Sequence, residues 1–281
     1  MNSVLNRIEE FLGEDIVSDQ GVGGGCIANS KYISTSNGNR FFLKQGFSNG
    51  MFQCEANGLL ELARAKTIKV PKVISVAQDY LLLEYIEQGN ESKDFFDGFG
   101  KQFANMHRFT QKNFGFYEDN FIGKNKQPNK ISKDWCDFYF NERLLFQYKL
   151  AEKNGYVTDG FKKAFDRLEK RIMQILNGSE EEPALLHGDL WGGNYVVDSL
   201  GNAVLIDPAV YYGHREADLA MTKLFGGFSA DFYRSYNEIF PLKDGFEYRE
   251  NVYKLYHVLN HLNLFGVGYY GPAIDLMNFY K

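Results

Sequence analysis

The stretch His187-Gly188-Asp189-Leu190-Trp191-Gly192-Gly193-Asn194, followed by Asp207 in Ile206-Asp207-Pro208, constrains this chain more than any other feature. Tyr195-Val196-Val197 and Val204-Leu205-Ile206 are β-prone runs joined by Asp198-Ser199-Leu200-Gly201-Asn202, which reads as a hairpin. Asn194 and Asp207 then sit at its two open ends. Any fold this chain adopts must bring a carboxamide and a carboxylate together beside the loop that carries Asp189.

At 281 residues the chain is long enough for one large domain or two lobes sharing a cleft. Its 44% hydrophobic and 24% charged residues are ordinary for a globular protein, while 25 Phe and 18 Tyr make it unusually aromatic, enough to fill a core and line a cleft. The net charge of -5 and the lack of a dense Lys/Arg run argue against nucleic-acid or anionic-membrane partners and favour small ones. No apolar run approaches the roughly 20 residues that span a bilayer, and Met1 to Ile16 lacks a signal-peptide profile, so a cytoplasmic location is expected. Cys26, Cys54 and Cys136 form no CxxC pair, which points to reduced thiols and not to a disulfide framework or zinc site.

Val4, Leu5, Ile8, Phe11 and Leu12 have helical spacing and Gly13 stops them. The glycine cluster Gly21 to Gly25 precedes Tyr32 to Thr35, an Asn37-Gly38 turn and the strand Arg40 to Lys44. Phe52, Ala56, Leu59, Leu60 and Ala63 mark a helix on which Glu55 falls beside the buried face. Val73 to Val76 and Tyr80 to Ile86 read as a second hairpin around Gln78-Asp79. Residues 1–87 are therefore expected to form a small lobe of antiparallel strands with one helix. From Phe95 to His107, Trp135 to Leu150 and Phe161 to Leu176 the pattern turns helical, so residues 88–281 are expected to form a larger, mainly helical lobe, α+β overall.

Phosphoryl transfer needs charge neutralised on a triphosphate and a hydroxyl held in line. Asp189 is the candidate to accept the proton from that hydroxyl, and Asn194 and Asp207 are the hard oxygen ligands that Mg2+ prefers. Gly23, Gly24, Gly25 and Cys26 lie where backbone N–H groups could cover ATP phosphates, although the spacing is not a full GxGxxG. A cation on Lys44 would explain why Glu55 tolerates its position, and Glu84-Tyr85-Ile86 close the last small-lobe strand, where backbone groups could meet adenine. Asp218 is expected to tie down the backbone of the Asp189 loop. A Cys26 thiol among backbone donors would favour its thiolate in an empty site, a redox switch that leaves a monomer or a redox-dependent homodimer open.

Gly23 to Ile27, Leu186 to Asn194, the run Ile206 to Glu216 and Leu224 to Phe228 together resemble the fructosamine kinase family, the ketosamine 3-kinases. Phe114 to Phe116, Gln127 to Asn129, Trp135 and Tyr256 to Gly266 extend the likeness over nearly the whole chain. The resemblance implies a bilobal protein-kinase-like fold and ATP-dependent phosphorylation of the 3-hydroxyl of a ketoamine. A phosphate there lies β to the C2 carbonyl, so its elimination would release the amine and reverse glycation. It places the phosphate loop at Gly23 to Cys26, the lysine at Lys44, the catalytic aspartate at Asp189 and the metal ligands at Asn194 and Asp207. Trp191, His214 and Glu216 are the candidate substrate contacts. His-Gly-Asp alone would also fit aminoglycoside, choline or homoserine kinases, and a nucleotide-binding pseudoenzyme is the rival of another class. Protein kinase activity is disfavoured because Pro208 follows Asp207 and no Asp-Phe-Gly to Ala-Pro-Glu segment is present.

Overall fold

The computed structural model describes residues 3–22, 29–46 and 49–280. Helix α1 (Val4–Leu12) is capped by Ser3 Oγ, which accepts from the Asn6 N–H, and it ends at Gly13 in the left-handed region at φ 69°. Strands β1 (Ile16–Val22), β2 (Asn29–Thr35) and β3 (Arg40–Gln45), helix α2 (Met51–Arg64), and strands β4 (Val73–Ala77) and β5 (Tyr80–Glu84) follow. The strands form one antiparallel sheet in the order β1-β2-β3-β5-β4.

Alternation along β3 and β5 divides this sheet between two helices. Ile33, Leu43 and Leu82 pack with Ile8 of α1, whereas Leu81 and Leu83 pack with Phe52, Ala56 and Leu59 of α2. The opening helix therefore belongs to the sheet's packing, and the β-rich region has a helix on each face. Because Leu43 faces α1, its neighbour Lys44 faces α2. Val73 to Val76 and Tyr80 to Glu84 pair as read, while Tyr85 and Ile86 leave the strand.

Past β5 the chain is helical with short hairpins. Helix α3 (Phe95–His107) packs along a later helix that spans Ala230–Ile239; β6 (Asn120–Ile122) pairs with β7 (Asn125–Gln127); α4 (Trp135–Phe138), α5 (Phe146–Lys153) and α6 (Asp159–Leu176) follow. Strands β8 (Ala184–Leu186), β9 (Tyr195–Val197), β10 (Ala203–Leu205) and β11 (Tyr211–Gly213) pair as β9 with β10 and β8 with β11. Helices α7 (Glu216–Leu224), α8 (Ala230–Ile239), α9 (Phe246–Phe265) and α10 (Tyr270–Asn278) complete the chain. Their apolar faces share one core with the aromatic stripe of α3. Among the described residues no helix is long and apolar enough to cross a membrane.

Trp135 to Leu150 is not the single α-helix that its spacing suggests. Tyr139–Leu145 is a π-helical segment between α4 and α5. It carries Arg143, which is fully buried, lies 4.0 Å over the Tyr211 ring and donates to Pro128 O and Asn129 Oδ1. The wider turn accommodates a residue that a regular α-period would misplace. The connection from the sheet to the helices rests on the β9–β10 hairpin, where Gln88 bridges Asp198 and the Gly89 N–H donates to Val197 O at 3.0 Å.

Candidate active site

A cavity of about 390 Å³ lies between the sheet and the helical part. Lys44, Met51, Phe52, Cys54 and Glu55 line one wall. Asp189, Trp191, Asn194, Asp207 and Pro208 line the other, and Phe121, Asn260, His261, Leu264 and Phe265 close one end.

The loop carrying Asp189 is shaped by backbone constraints. Gly188 has φ 82°, and a Cβ there would lie 1.9 Å from Ala209 O, so no other residue fits. His187 joins two strand ends: its Nε2–H donates to Ile206 O at 2.9 Å while its Nδ1 accepts from the Asp189 N–H at 3.3 Å. Burial lowers the His187 pKa, as this neutral tautomer requires. Asp218 anchors the same turn, accepting from the His187 N–H at 2.7 Å and the Gly188 N–H at 2.8 Å, with His107 Nε2 at 3.3 Å. Burial opposes ionisation of Asp218, but His107, His187 and these N–H donors outweigh it and hold its carboxyl below the usual range. Asp218 thus ties down the loop backbone as its place in the sequence suggested.

Asn194 ends the loop. Its Nδ2 donates to Asp189 O at 2.8 Å and to Asp189 Oδ2 at 3.2 Å, and its own carbonyl accepts from the Ile206 N–H at 3.0 Å, closing the hairpin mouth. Across that mouth Asp207 has φ 54°, a left-handed conformation uncommon outside glycine that turns its half-exposed carboxylate toward the sheet. Lys44 reaches it there, bonding Asp207 Oδ1 and donating to Glu55 Oε1 at 2.7 Å. Burial alone would lower the Lys44 pKa, yet Glu55 and Asp207 more than reverse this and keep it protonated. Glu55 is raised by burial, against which the Lys44 cation acts. The Asp189 carboxyl is pushed well above the usual range by burial and then by the Asp207 charge.

Two carboxylates that repel each other, with a carboxamide beside them, form a hard-oxygen donor set that a divalent cation would relieve. Among the described residues no group of three or more His, Cys, Asp or Glu side chains is arranged to hold a metal by itself. The Asp207 carboxylate and the Asn194 carboxamide are hard oxygen donors of the kind that Mg2+ takes together with substrate phosphates.

The structure does not bring every candidate here. His214 is buried, stacked 4.6 Å from Trp135, with burial holding its pKa well below the ordinary value. Glu216 is buried against Arg249, donated to at 2.8 Å by Arg249 Nε. Neither lines the cavity, so neither is placed to touch substrate there: they follow Asp207 closely, but the chain after β11 and the start of α7 bury them in the core. Trp191 does line it and is 40% exposed. Glu84 accepts from the Lys72 N–H, Tyr85 packs under the Arg40 guanidinium at 4.1 Å and Ile86 is buried, so the side chains of these three are engaged away from the cavity and only their backbone groups are left to face it from the connection. Gly23, Gly24, Gly25 and Cys26 lie outside the described residues.

The α9 residues Asn260, His261 and Phe265 and the β6 residues Phe121 and Ile122 carry no roles in the sequence reading. For α9 the signals in the sequence are the likeness over Tyr256 to Gly266 and the pair His257 and His261 one helical turn apart, which periodicity alone does not distinguish from core. Cys54 also reaches the cavity, but burial pushes its thiol up to about 11, so it packs as a thiol.

A Lys–Glu pair between an antiparallel sheet and the helix packed on it, facing a loop of Asp189, Asn194 and Asp207, defines a kinase-like phosphotransferase. The aminoglycoside phosphotransferase APH(4)-Ia, in a ternary complex with AMP-PNP and hygromycin B, shares this fold at TM-score 0.68 and 13% identity, over 99% of this chain and 97% of its own. The chain belongs to the fructosamine kinase family, whose model matches residues 1–280. A probable ketoamine kinase of Synechocystis is 38% identical over 285 residues, 98% of this chain and 95% of that protein. The crystal structure of a protein assigned as a fructosamine-3-kinase of Thermobifida fusca superposes at TM-score 0.91 with 30% identity, over 100% of this chain and 99% of its own.

Proposed function

We propose that this protein transfers the γ-phosphoryl group of ATP to the 3-hydroxyl of ketosamines, the adducts in which a ketose is joined through C1 to an amine such as that of lysine. The observation that carries this reading is Asp189 facing the same cavity as the Lys44–Glu55 pair and the Asn194 and Asp207 oxygens, in a chain of this family. Lys44, held by Glu55, meets the phosphates as a fixed cation. Asp189 orients the acceptor hydroxyl and takes its proton as the bond to phosphorus forms. Mg2+, held by Asn194 and Asp207, would supply charge neutralisation on the phosphate oxygens. Gly23 to Cys26 would cover those oxygens with backbone N–H groups, and the backbone of Glu84 to Ile86 would meet the base, with the lobes dividing after Glu87. Trp191 offers the sugar a flat exposed face.

The test is ADP release with MgATP across fructosyl-lysine, ribulosyl-lysine, choline and an aminoglycoside, with Asp189→Asn as the blank. Selective turnover of a ketosamine, phosphorylated at its C3 oxygen and lost by about 10²–10⁴-fold in the variant, is expected. Turnover of choline or the aminoglycoside alone would overturn the substrate, and equal turnover by Asp189→Asn would overturn the assigned base.

A further inference from the structure

One buried polar atom beside the reacting groups has no partner. His257 is 3% exposed on α9, and among the described residues its Nδ1 makes no hydrogen bond. That atom lies 3.9 Å from Asp189 Oδ1. Asp189 Oδ2 already accepts from Asn194 Nδ2, whereas Oδ1 has no donor among the described residues. An unsatisfied buried nitrogen costs about 1–3 kcal/mol, so its persistence beside a half-satisfied carboxylate calls for a partner acquired in another state.

His257 cannot serve as a counter-ion. Burial and the neighbouring His261 push its pKa down to about 3, so the ring is a neutral donor or acceptor. One turn on, a ring nitrogen of His261 bonds His257 O at 2.8 Å within α9, and His261 lines the cavity. A gap of 3.9 Å exceeds a hydrogen bond and is closed by a small rotation of the carboxylate; catalytic hydrogen bonds are often long before substrate is bound.

We propose that His257 is a positioning residue for Asp189, its Nδ1–H donating to Oδ1 in the substrate-loaded enzyme while Asn194 holds Oδ2. The carboxylate is then fixed at both oxygens, with a lone pair of Oδ1 left for the acceptor hydroxyl. A donor to the anion also offsets the burial and the Asp207 charge that disfavour it. This inference rests on the reading of Asp189 as the base.

The experiment compares wild type, His257→Phe and His257→Asn with a ketosamine that the wild type phosphorylates. Phe keeps the ring and its edge contact with Tyr256 but removes the donor; Asn places an amide N–H close to where Nδ1 stood. With Phe, kcat should fall about 10- to 100-fold, the range for a reacting group displaced by about an ångström, with KM for ATP within about twofold. The melting temperature should not fall, since an unpartnered polar atom has been removed. Asn should recover most of kcat. A Phe variant within about twofold of wild-type kcat, or an Asn variant no faster than Phe, would overturn the proposal. Should the wild type phosphorylate no ketosamine, the functional reading fails separately. The ring is then decided by 15N NMR of the complex with a non-hydrolysable ATP analogue, where an Nδ1–H tautomer supports the role and an Nε2–H tautomer removes it.

Discussion

The two walls of the cleft are built by different means. The β-rich wall is thin: one five-stranded sheet with a small apolar cluster on each face, to which the site owes Lys44 and Glu55 from adjacent elements. The helical wall is thick, and its loop is held by buried polar groups from far along the chain, with Asp218 and His107 behind His187 and Gly188. A thin wall can present a charge and move with its ligand, whereas a catalytic base needs a backbone that does not give. All five histidines, at 107, 187, 214, 257 and 261, also follow the sheet, so acid should act on the helical wall first.

Breaking the thin wall should have the largest effect. Lys44→Met should lower kcat/KM by about 10²–10³-fold, as loss of a transition-state charge donor does. It also strands Glu55 beside Asp207, at a cost of about 3–5 kcal/mol typical of a broken buried pair. Lys44→Met combined with Glu55→Leu should regain most of that stability in urea titration and none of the activity. Recovery of turnover by the double variant would mean that the pair serves packing and not phosphate.

Asp218→Asn tests the thick wall. It leaves an amide against the His187 or Gly188 N–H, and at neutral pH the loss should be about 2–3 kcal/mol, the scale of hydrogen bonds to a charged group. Because the folded pKa of Asp218 lies below its unfolded value, its contribution is complete above about pH 3.9 and is lost as pH falls through the folded value. Urea titrations should show a constant gap between wild type and variant from pH 7 to 5 that narrows below about pH 4. A gap unchanged at low pH would show that the carboxylate's charge is not what anchors the loop.

The smallest effect sharpens the histidine contrast. His214 has a folded pKa well below its unfolded one, so the unfolded chain binds the proton more tightly; stability is complete above about pH 6.5 and declines as pH falls below it. His214→Phe should reduce the slope of stability against pH by up to about 1.4 kcal/mol per pH unit between pH 6 and 5. An unchanged slope would exonerate this histidine.

Much of this protein was legible along the chain. The period of α1, α2 and α3, the Asn37-Gly38 turn and the β9–β10 hairpin are local patterns, in which residues a few positions apart share a face, and they brought Asn194 and Asp207 to one mouth. Glu55 beside an apolar face called for a cation, for which Lys44 at the end of the preceding strand was the candidate. Tertiary structure decided what local pattern does not contain. His214 and Glu216 follow Asp207 within nine residues, yet β11 and α7 bury them in the core, where Trp135 and Arg249 meet them. The π-helical segment interrupts a run of helical spacing and carries Arg143 to Tyr211 and Asn129, both distant from it in the local pattern. His257 comes to Asp189 across a separation of 68 residues in sequence. Hydrophobic periodicity records which face of an element is buried, whereas the partner of a buried polar group is chosen by elements distant in sequence, and only their packing determines which side chains meet.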